Sequence, residues 1–158
     1  MTQQAKPKAN QQLEEKLKAV KAKDMMTKTV VTTTPQAHLA DLADEIIKHR
    51  ISGMPVVDSK GKLCGVVTMT DLLVVMGMVL EGSAVEDDGM TPTVNPKVNI
   101  AMSSDVVTIR PETTLDEIVK IMRNKGIHTI PIMDGDKLAG VVGKHDVLKK
   151  FYEVIRKS

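Results

Sequence analysis

The feature that most constrains the fold is an internal repeat. Gly65-Val66-Val67-Thr68-Met69-Thr70-Asp71 has a counterpart in Gly140-Val141-Val142-Gly143-Lys144-His145-Asp146, and Pro111 follows Pro35 at nearly the same spacing. The glycine, both valines and the aspartate recur, whereas the hydroxyls do not. Neither half of this 158-residue chain is large enough to bury a comfortable core alone. The repeat therefore predicts two similar units that share one core.

Each repeat predicts the order strand, helix, strand, strand, helix. In the first repeat, residues 30–33 are β-rich, residues 39–47 carry apolar side chains at helical spacing, and two strands surround the turn at 58–61. The second repeat follows in register, with a tighter hairpin turn at Asp134-Gly135. Thr114 and Glu117 form the sequence signature of a capping box. A closing helix is predicted from Lys144 to Arg156.

These elements predict a mixed α/β (α+β) fold of two β-α-β-β-α repeats packed sheet to sheet about a pseudo-two-fold axis. Such packing makes two clefts, each lined by parts of both repeats. The predicted segments are a polar tail with an amphipathic helix at 1–23, the first repeat at 24–80, a linker at 81–98, and the second repeat with the C-terminal helix at 99–158.

Composition excludes several classes of partner. The aromatic residues are only Phe151 and Tyr152, so no platform exists for stacking single-stranded nucleic acid, and a net charge of +2 favours neither nucleic acid nor an anionic membrane. Cys64 is the only cysteine, which excludes an intrachain disulfide. The N-terminus is polar and no apolar run approaches about 20 residues. The expected compartment is the cytoplasm.

The repeated motif carries groups suited to a nucleotide. Thr68 and Thr70 bring hydroxyls, and a helix start brings free N–H groups, to the point where a phosphate could bind. The carboxylate of Asp71 could hold two vicinal hydroxyls, as on a ribose. The alternative for Asp71, and equally for Asp146, is helix N-capping.

The chain resembles a stand-alone tandem pair of cystathionine β-synthase (CBS) domains, the arrangement called a Bateman module, over about residues 24–150. One Gly-Val-Val triplet is weak evidence, but several elements repeated in order are strong evidence. The resembling pieces are residues 24–26, 52–58, 65–71, 128–134 and 140–146.

The resemblance implies a non-catalytic regulatory module without a cofactor, whose ligand is AMP, ADP, ATP or S-adenosylmethionine. In such modules the aspartate holds the ribose, hydroxyls contact phosphate and aliphatic side chains enclose the adenine. Carried over, the first cleft comprises Thr68, Thr70, Asp71, Met102, Ser104, Val106 and His128. The second comprises Asp146, Lys144, His145, Lys23, Lys28, Ile51 and Ser52.

The two motifs predict clefts of unequal strength. Gly143 stands where Thr68 stands in the first repeat. One lost hydrogen bond to a charged phosphate is worth about 1.5–3 kcal/mol. The hydroxyl pattern therefore predicts tighter nucleotide binding at Asp71 than at Asp146, unless Lys144 or His145 substitutes for the missing hydroxyl.

Two other functions remain open at this point. Apolar helix faces at 72–75 and at Val147 and Phe151 predict a homodimer. The module could therefore be purely structural, with empty clefts. It could also regulate a protein that the sequence does not identify. An enzyme would need a nucleophile and base, such as Cys64 or Thr70 with His145 and Asp146. Cys64 has no counterpart in the second repeat, and the four histidines lack the spacing of a metal site.

Overall fold

The computed structural model describes residues 5 and 7–158. Residues 1–4 and 6 of the predicted polar tail lie outside this description. The elements in chain order are α1 Lys8–Ala19, a 3₁₀ turn at Ala22–Asp24, α2 Leu39–His49, β1 Gly53–Val57, β2 Leu63–Thr68, α3 Met69–Leu80, α4 Val98–Ala101, α5 Leu115–Lys125, β3 Thr129–Asp134, β4 Lys137–Gly143 and α6 Lys144–Arg156.

Each repeat is built on an antiparallel hairpin, β1–β2 in the first and β3–β4 in the second. The regular strand predicted at residues 30–33 is wrong, because only Thr33 pairs, in parallel, with Val56. The next residue able to bond to the same neighbour is Pro35, which has no N–H to donate. Ile109 forms the equivalent bridge in the second repeat, and Pro111 ends it in the same way.

Most helix signals in the sequence are confirmed. The backbone N–H of Thr114 donates to Glu117 Oε2 at 3.0 Å, as the capping box predicts, and α6 has the predicted bounds. Helix α2 begins at Leu39, where the helical spacing of apolar residues begins, and Pro35 lies in the turn before it. Its predicted buried face is wrong at Ile47, whose side chain is 74% exposed.

The segments that precede the repeats are exchanged between them. We call residues 20–27 and 96–103 the entry segments. The first entry segment packs on the second repeat, where Thr27 exchanges two backbone hydrogen bonds with Val141, at 2.9 and 3.0 Å. The second packs on the first repeat, where Ser103 and Val66 exchange two bonds at 2.9 and 3.0 Å. The same bonds recur at equivalent positions, which is the signature of the pseudo-two-fold axis.

The exchange completes both cores. Ala22 is fully buried in the core cluster of the second repeat, and Val98 is fully buried in that of the first. Helix α1 packs on α5 and α6 of the second repeat. The linker covers the first repeat at the equivalent place, where Val85 is buried and Asn95 Oδ1 accepts the N–H of Ala40 at 2.9 Å. Each repeat therefore depends on chain that precedes the other.

Within residues 7–158, no helix combines the length and the apolar character that crossing a bilayer requires.

Candidate ligand-binding clefts

The two clefts lie on either side of the contact between the hairpins. At that contact Ser52 Oγ and Thr129 Oγ1 are 3.2 Å apart and share a hydrogen bond. Ser52, Thr129 and Lys144 line both clefts. The first cleft has a volume of about 540 Å³ and the second about 160 Å³. The clefts are thus neighbours that share polar side chains.

The first cleft is formed where β2 passes into α3. Its wall also contains the end of the second entry segment with the residues after it, and the approach to β3. The lining residues are Ser52, Val66, Thr68, Met69, Thr70, Asp71, Ser103, Asp105, Val106, Val107, Gly126, Ile127, His128, Thr129 and Lys144.

Asp71 closes the start of α3 from its third position. Its Oδ2 accepts the backbone N–H of Thr68 at 2.8 Å and the Thr68 hydroxyl at 3.0 Å, so Thr68, and not Asp71, is the N-cap residue. Within residues 7–158, Oδ1 of Asp71 makes no hydrogen bond. One carboxylate oxygen caps the helix and the other is available to a ligand, so the two interpretations of Asp71 are compatible.

The Thr68 hydroxyl has only one proton. While this proton is donated to Asp71, the hydroxyl can accept a hydrogen bond but cannot donate one to a phosphate oxygen. Thr70 also lines the cleft and its side chain is exposed. The first cleft therefore offers a phosphate fewer donors than the sequence motif indicates.

The second cleft is formed where β4 passes into α6. Asp146 Oδ2 accepts the backbone N–H of Gly143 at 2.7 Å, which repeats the geometry of Asp71 without a side-chain hydroxyl. The lining residues are Thr27, Thr29, Val31, Arg50, Ile51, Ser52, Gly53, Pro55, Thr129, Val141, Gly143, Lys144, His145 and Asp146.

The structure brings together ten of the fourteen residues proposed from sequence. Those in the clefts are Thr68, Thr70, Asp71, Val106, His128, Lys144, His145, Asp146, Ile51 and Ser52. The four outside both linings are Met102, Ser104, Lys23 and Lys28.

The residues outside the clefts have other surroundings. Met102 packs against the core of the first repeat, and Ser104 and Lys28 are exposed. Lys23 Nζ lies 2.9 Å from Glu112 Oε1 and is held away from the second cleft. Hydrogen bonds from the ammonium groups of Lys21 and Lys23 hold the pKa of the Glu112 carboxyl below its ordinary value, and the bond from Lys21 has the larger effect.

Two further charged residues, Arg50 and Asp105, line the clefts. Asp105 falls between Ser104 and Val106, which the resemblance assigns to the first cleft, and Thr29 stands at the equivalent place in the second. That assignment could have identified both residues. Nothing in the sequence pointed to Arg50, because the equivalent residue of the second repeat is Gly126.

Among the described residues, no group of three or more His, Cys, Asp or Glu side chains is placed to hold a metal ion.

Comparison with known proteins identifies the family. The sequence model of the CBS domain matches residues 22–77 and again residues 97–153, which together make up more than half of the chain. The chain belongs to the CBS domain family. Its two repeats are two CBS domains, and the entry segments at 20–27 and 96–103 overlap the start of each match.

Similar proteins support a CBS pair. Uncharacterized protein MJ1225 of Methanocaldococcus jannaschii is 29% identical over 129 residues, which cover 81% of this chain and 46% of the relative. The chain thus spans about half the length of that relative. Two solved structures share the fold. CBSX2 in complex with AMP has a TM-score of 0.71 at 21% identity and covers 87% of this chain and 99% of that one.

The second structure is the CBS domain pair of protein MJ0100 in complex with 5′-methylthioadenosine and S-adenosylmethionine. Its TM-score is 0.69 at 23% identity, and the match covers 85% of this chain and 98% of that one. At these identities the likeness shows the fold alone.

Proposed function

We propose that this CBS pair is a regulatory module that binds adenosine-containing ligands in its clefts and performs no chemistry on them. The observation that carries the proposal is the repeated geometry of Asp71 and Asp146. Each uses Oδ2 to close a helix start, and within residues 7–158 neither Oδ1 makes a hydrogen bond. An unpaired carboxylate oxygen beside an open cleft suits the vicinal hydroxyls of a ribose. The solved complexes of CBSX2 and MJ0100 contain ligands of this class.

The rest of the cleft suits the remainder of such a ligand. Val106 and Val107 in the first cleft, and Val31 and Ile51 in the second, offer aliphatic surface to a flat base. The N–H groups at the starts of α3 and α6 favour anionic groups. AMP, ADP, ATP and S-adenosylmethionine are therefore the ligands to test.

Calorimetric titration with these four compounds tests the proposal. A ligand at 100 times its dissociation constant should stabilise the fold by about 2.7 kcal/mol. In thermal melts with and without ligand, the double variant Asp71→Asn/Asp146→Asn should lose most of this stabilisation. The comparison is made with the variant's own melting temperature in the absence of ligand. Asp134→Asn, at the exposed end of β3, is the control and should bind normally. Failure of all four compounds to bind would favour a structural module with empty clefts.

Catalysis is disfavoured by the position of the one thiol. Cys64 lies outside the lining of both clefts, and burial raises its pKa, which lowers the fraction of reactive thiolate. We expect no hydrolysis of ATP or S-adenosylmethionine during prolonged incubation. Turnover at a steady rate would contradict the non-catalytic proposal.

We also propose that the module assembles as a homodimer through α3. This helix exposes large apolar side chains, with Leu73 62% exposed, Val74 60% and Leu80 84%. Burial of such a face is worth about 25 cal/mol per Å² before the cost of association. Sedimentation at micromolar concentration should show a dimer, and Leu73→Glu should convert it to a monomer. The regulated protein and the cytoplasmic location remain predictions.

A further inference from the structure

The two clefts carry different charges at positions that the internal repeat makes equivalent. Asp105 lines the first cleft where Thr29 lines the second, and Arg50 lines the second where Gly126 lines the first. Lys144 belongs to both clefts, and each cleft has one histidine, so these residues do not distinguish them. The first cleft therefore has two carboxylates, with Asp71, whereas the second has one carboxylate and an additional guanidinium.

Arg50 ends α2 in the left-handed conformation of a helix C-cap, with its N–H donating to the carbonyls of Ile46 and Ile47. Among the described residues it is the one non-glycine residue with a positive φ, at 52°. Its counterpart Gly126 ends α5 with a φ of 63°, a conformation that glycine adopts without strain. The Arg50 guanidinium forms no ion pair within residues 7–158.

We infer that the two clefts divide adenosine ligands by charge. The second cleft takes a phosphorylated compound, and the first takes an adenosine compound that carries no phosphate, with a preference for a positively charged one. This inference rests on the proposed function and names the ligand class of each site.

The chemistry of the charged groups supports this division. A guanidinium presents paired N–H donors that match phosphate oxygens, and Arg50 adds these to the shared ammonium of Lys144. Asp105 repels a phosphate in the first cleft and attracts a cation such as a sulfonium. The Thr68 hydroxyl, which donates to Asp71, offers the phosphate no compensating donor. These charges reverse the ranking of the clefts that the hydroxyl pattern predicts.

The smaller volume of the second cleft, about 160 Å³, does not prevent a nucleotide from binding there. Arg50, Lys144 and His145 line it and are exposed to solvent, so their long or mobile side chains can move outward when a ligand enters. The larger first cleft already has about 540 Å³.

Titration with two probes, AMP and S-adenosylmethionine, tests the division of ligands. The wild-type chain saturated with AMP should still bind one S-adenosylmethionine per chain. Arg50→Gln should weaken AMP binding about ten- to a hundredfold and leave S-adenosylmethionine unchanged. Asp105→Asn should weaken S-adenosylmethionine about fivefold and leave AMP unchanged or tighter.

Two matched variants serve as controls. Arg123→Gln in α5 and Asp44→Asn in α2 remove the same charges at exposed positions outside both clefts and should alter neither affinity. Circular dichroism verifies that each variant folds.

If neither probe binds the wild-type chain, the proposed function fails together with the inference. If both probes bind and Arg50→Gln weakens them equally, or Asp105→Asn weakens AMP, the division by charge is wrong and the proposed function stands.

Discussion

The thioether of Met26 lies so close above Gly140 that a methyl group at Gly140 would stand 2.8 Å from its sulfur. The same methyl would be 3.0 Å from the carbonyl oxygen of Thr27, which is backbone and cannot move aside. Met102 and Ser103 stand over Gly65 in the same way, with Ser103 O at 2.9 Å. Both glycines of the repeated motif are thus required by the close passage of an entry segment.

The first prediction is that Gly65→Ala and Gly140→Ala each destabilise the fold by about 1–3 kcal/mol, the cost of an overpacked contact. Urea denaturation measures the change. Gly77→Ala is the control, because nothing lies within 4 Å of its Cβ position inside α3. Alanine there should raise stability by about 0.5–1 kcal/mol. Equal effects at all three glycines would contradict the close-contact explanation.

The second prediction concerns Val98, which is the last residue of the predicted linker but is fully buried in the core of the first repeat. Val98→Ala should destabilise the protein by about 2 kcal/mol, from lost burial and the cavity left behind. Hydrogen exchange should accelerate first in β1 and β2.

Val94→Ala is the control for Val98, since its side chain is 79% exposed. Its effect should lie within about 0.5 kcal/mol of zero. Faster exchange in β3 and β4 than in β1 and β2 after Val98→Ala would contradict the exchange of entry segments.

The third prediction is a pH dependence that resides in the first hairpin. Asp58 Oδ1 accepts the N–H groups of Lys60 and Lys62, at 2.8 and 2.9 Å. These bonds lower the pKa of Asp58 below its ordinary value of 3.8, and the bond from Lys62 has the largest effect. Because the folded-state pKa is the lower one, the stabilisation is present above pH 3.8 and is lost as pH falls through the folded-state pKa.

Asp58→Ala should therefore destabilise the protein at pH 7 and make progressively less difference below pH 3.8, as thermal melts at several pH values would show. The carboxylate of Asp134, the counterpart of Asp58, accepts no hydrogen bond from the described residues. Asp134→Ala should therefore show no such dependence on pH. A constant difference between Asp58→Ala and wild type down to pH 2 would argue against the carboxylate.

The fourth prediction is that Cys64 reacts slowly with alkylating reagents. Burial, and then the charge of Asp58, raise the pKa of its thiol above the ordinary 9.0. At pH 7.5 the thiolate fraction is consequently small, and alkylation should be slower than that of a free cysteine and should accelerate above pH 9. Alkylation of the native protein as fast as that of the urea-unfolded chain would contradict this.

Local signals predicted local structure well. The capping box at Thr114, the two hairpins and the bounds of α6 depend on residues close in sequence, and they are found as predicted. The exchange of entry segments was implied only by the family resemblance, which assigned Lys23 and Lys28 to the second cleft and Met102 to the first. No local signal predicts it, because it depends on contacts between residues far apart in sequence, such as the 2.8 Å hydrogen bond from Ala22 N–H to the Thr113 carbonyl.

Residues of the binding site were likewise predicted where they belong to a local motif and missed where the packing of the two repeats places them. The motif aspartates lie in the clefts because each caps the helix that follows it. Asp105 lies between Ser104 and Val106, which the resemblance assigns to the first cleft. Arg50 belongs to no motif, and its presence in the second cleft follows only from how the two repeats meet. Lys144 follows β4 in sequence, but only the assembled structure shows that it lines both clefts.

The exchanged entry segments also limit how this protein can be divided. A chain that carries residues 96–158 alone has the strands of one repeat but lacks the segment that completes their core. Its own segment at 96–103 has the hydrogen-bonding pattern of the missing one, and it can supply those bonds only to a second copy. A single repeat is therefore expected to exist as a symmetric, segment-swapped pair.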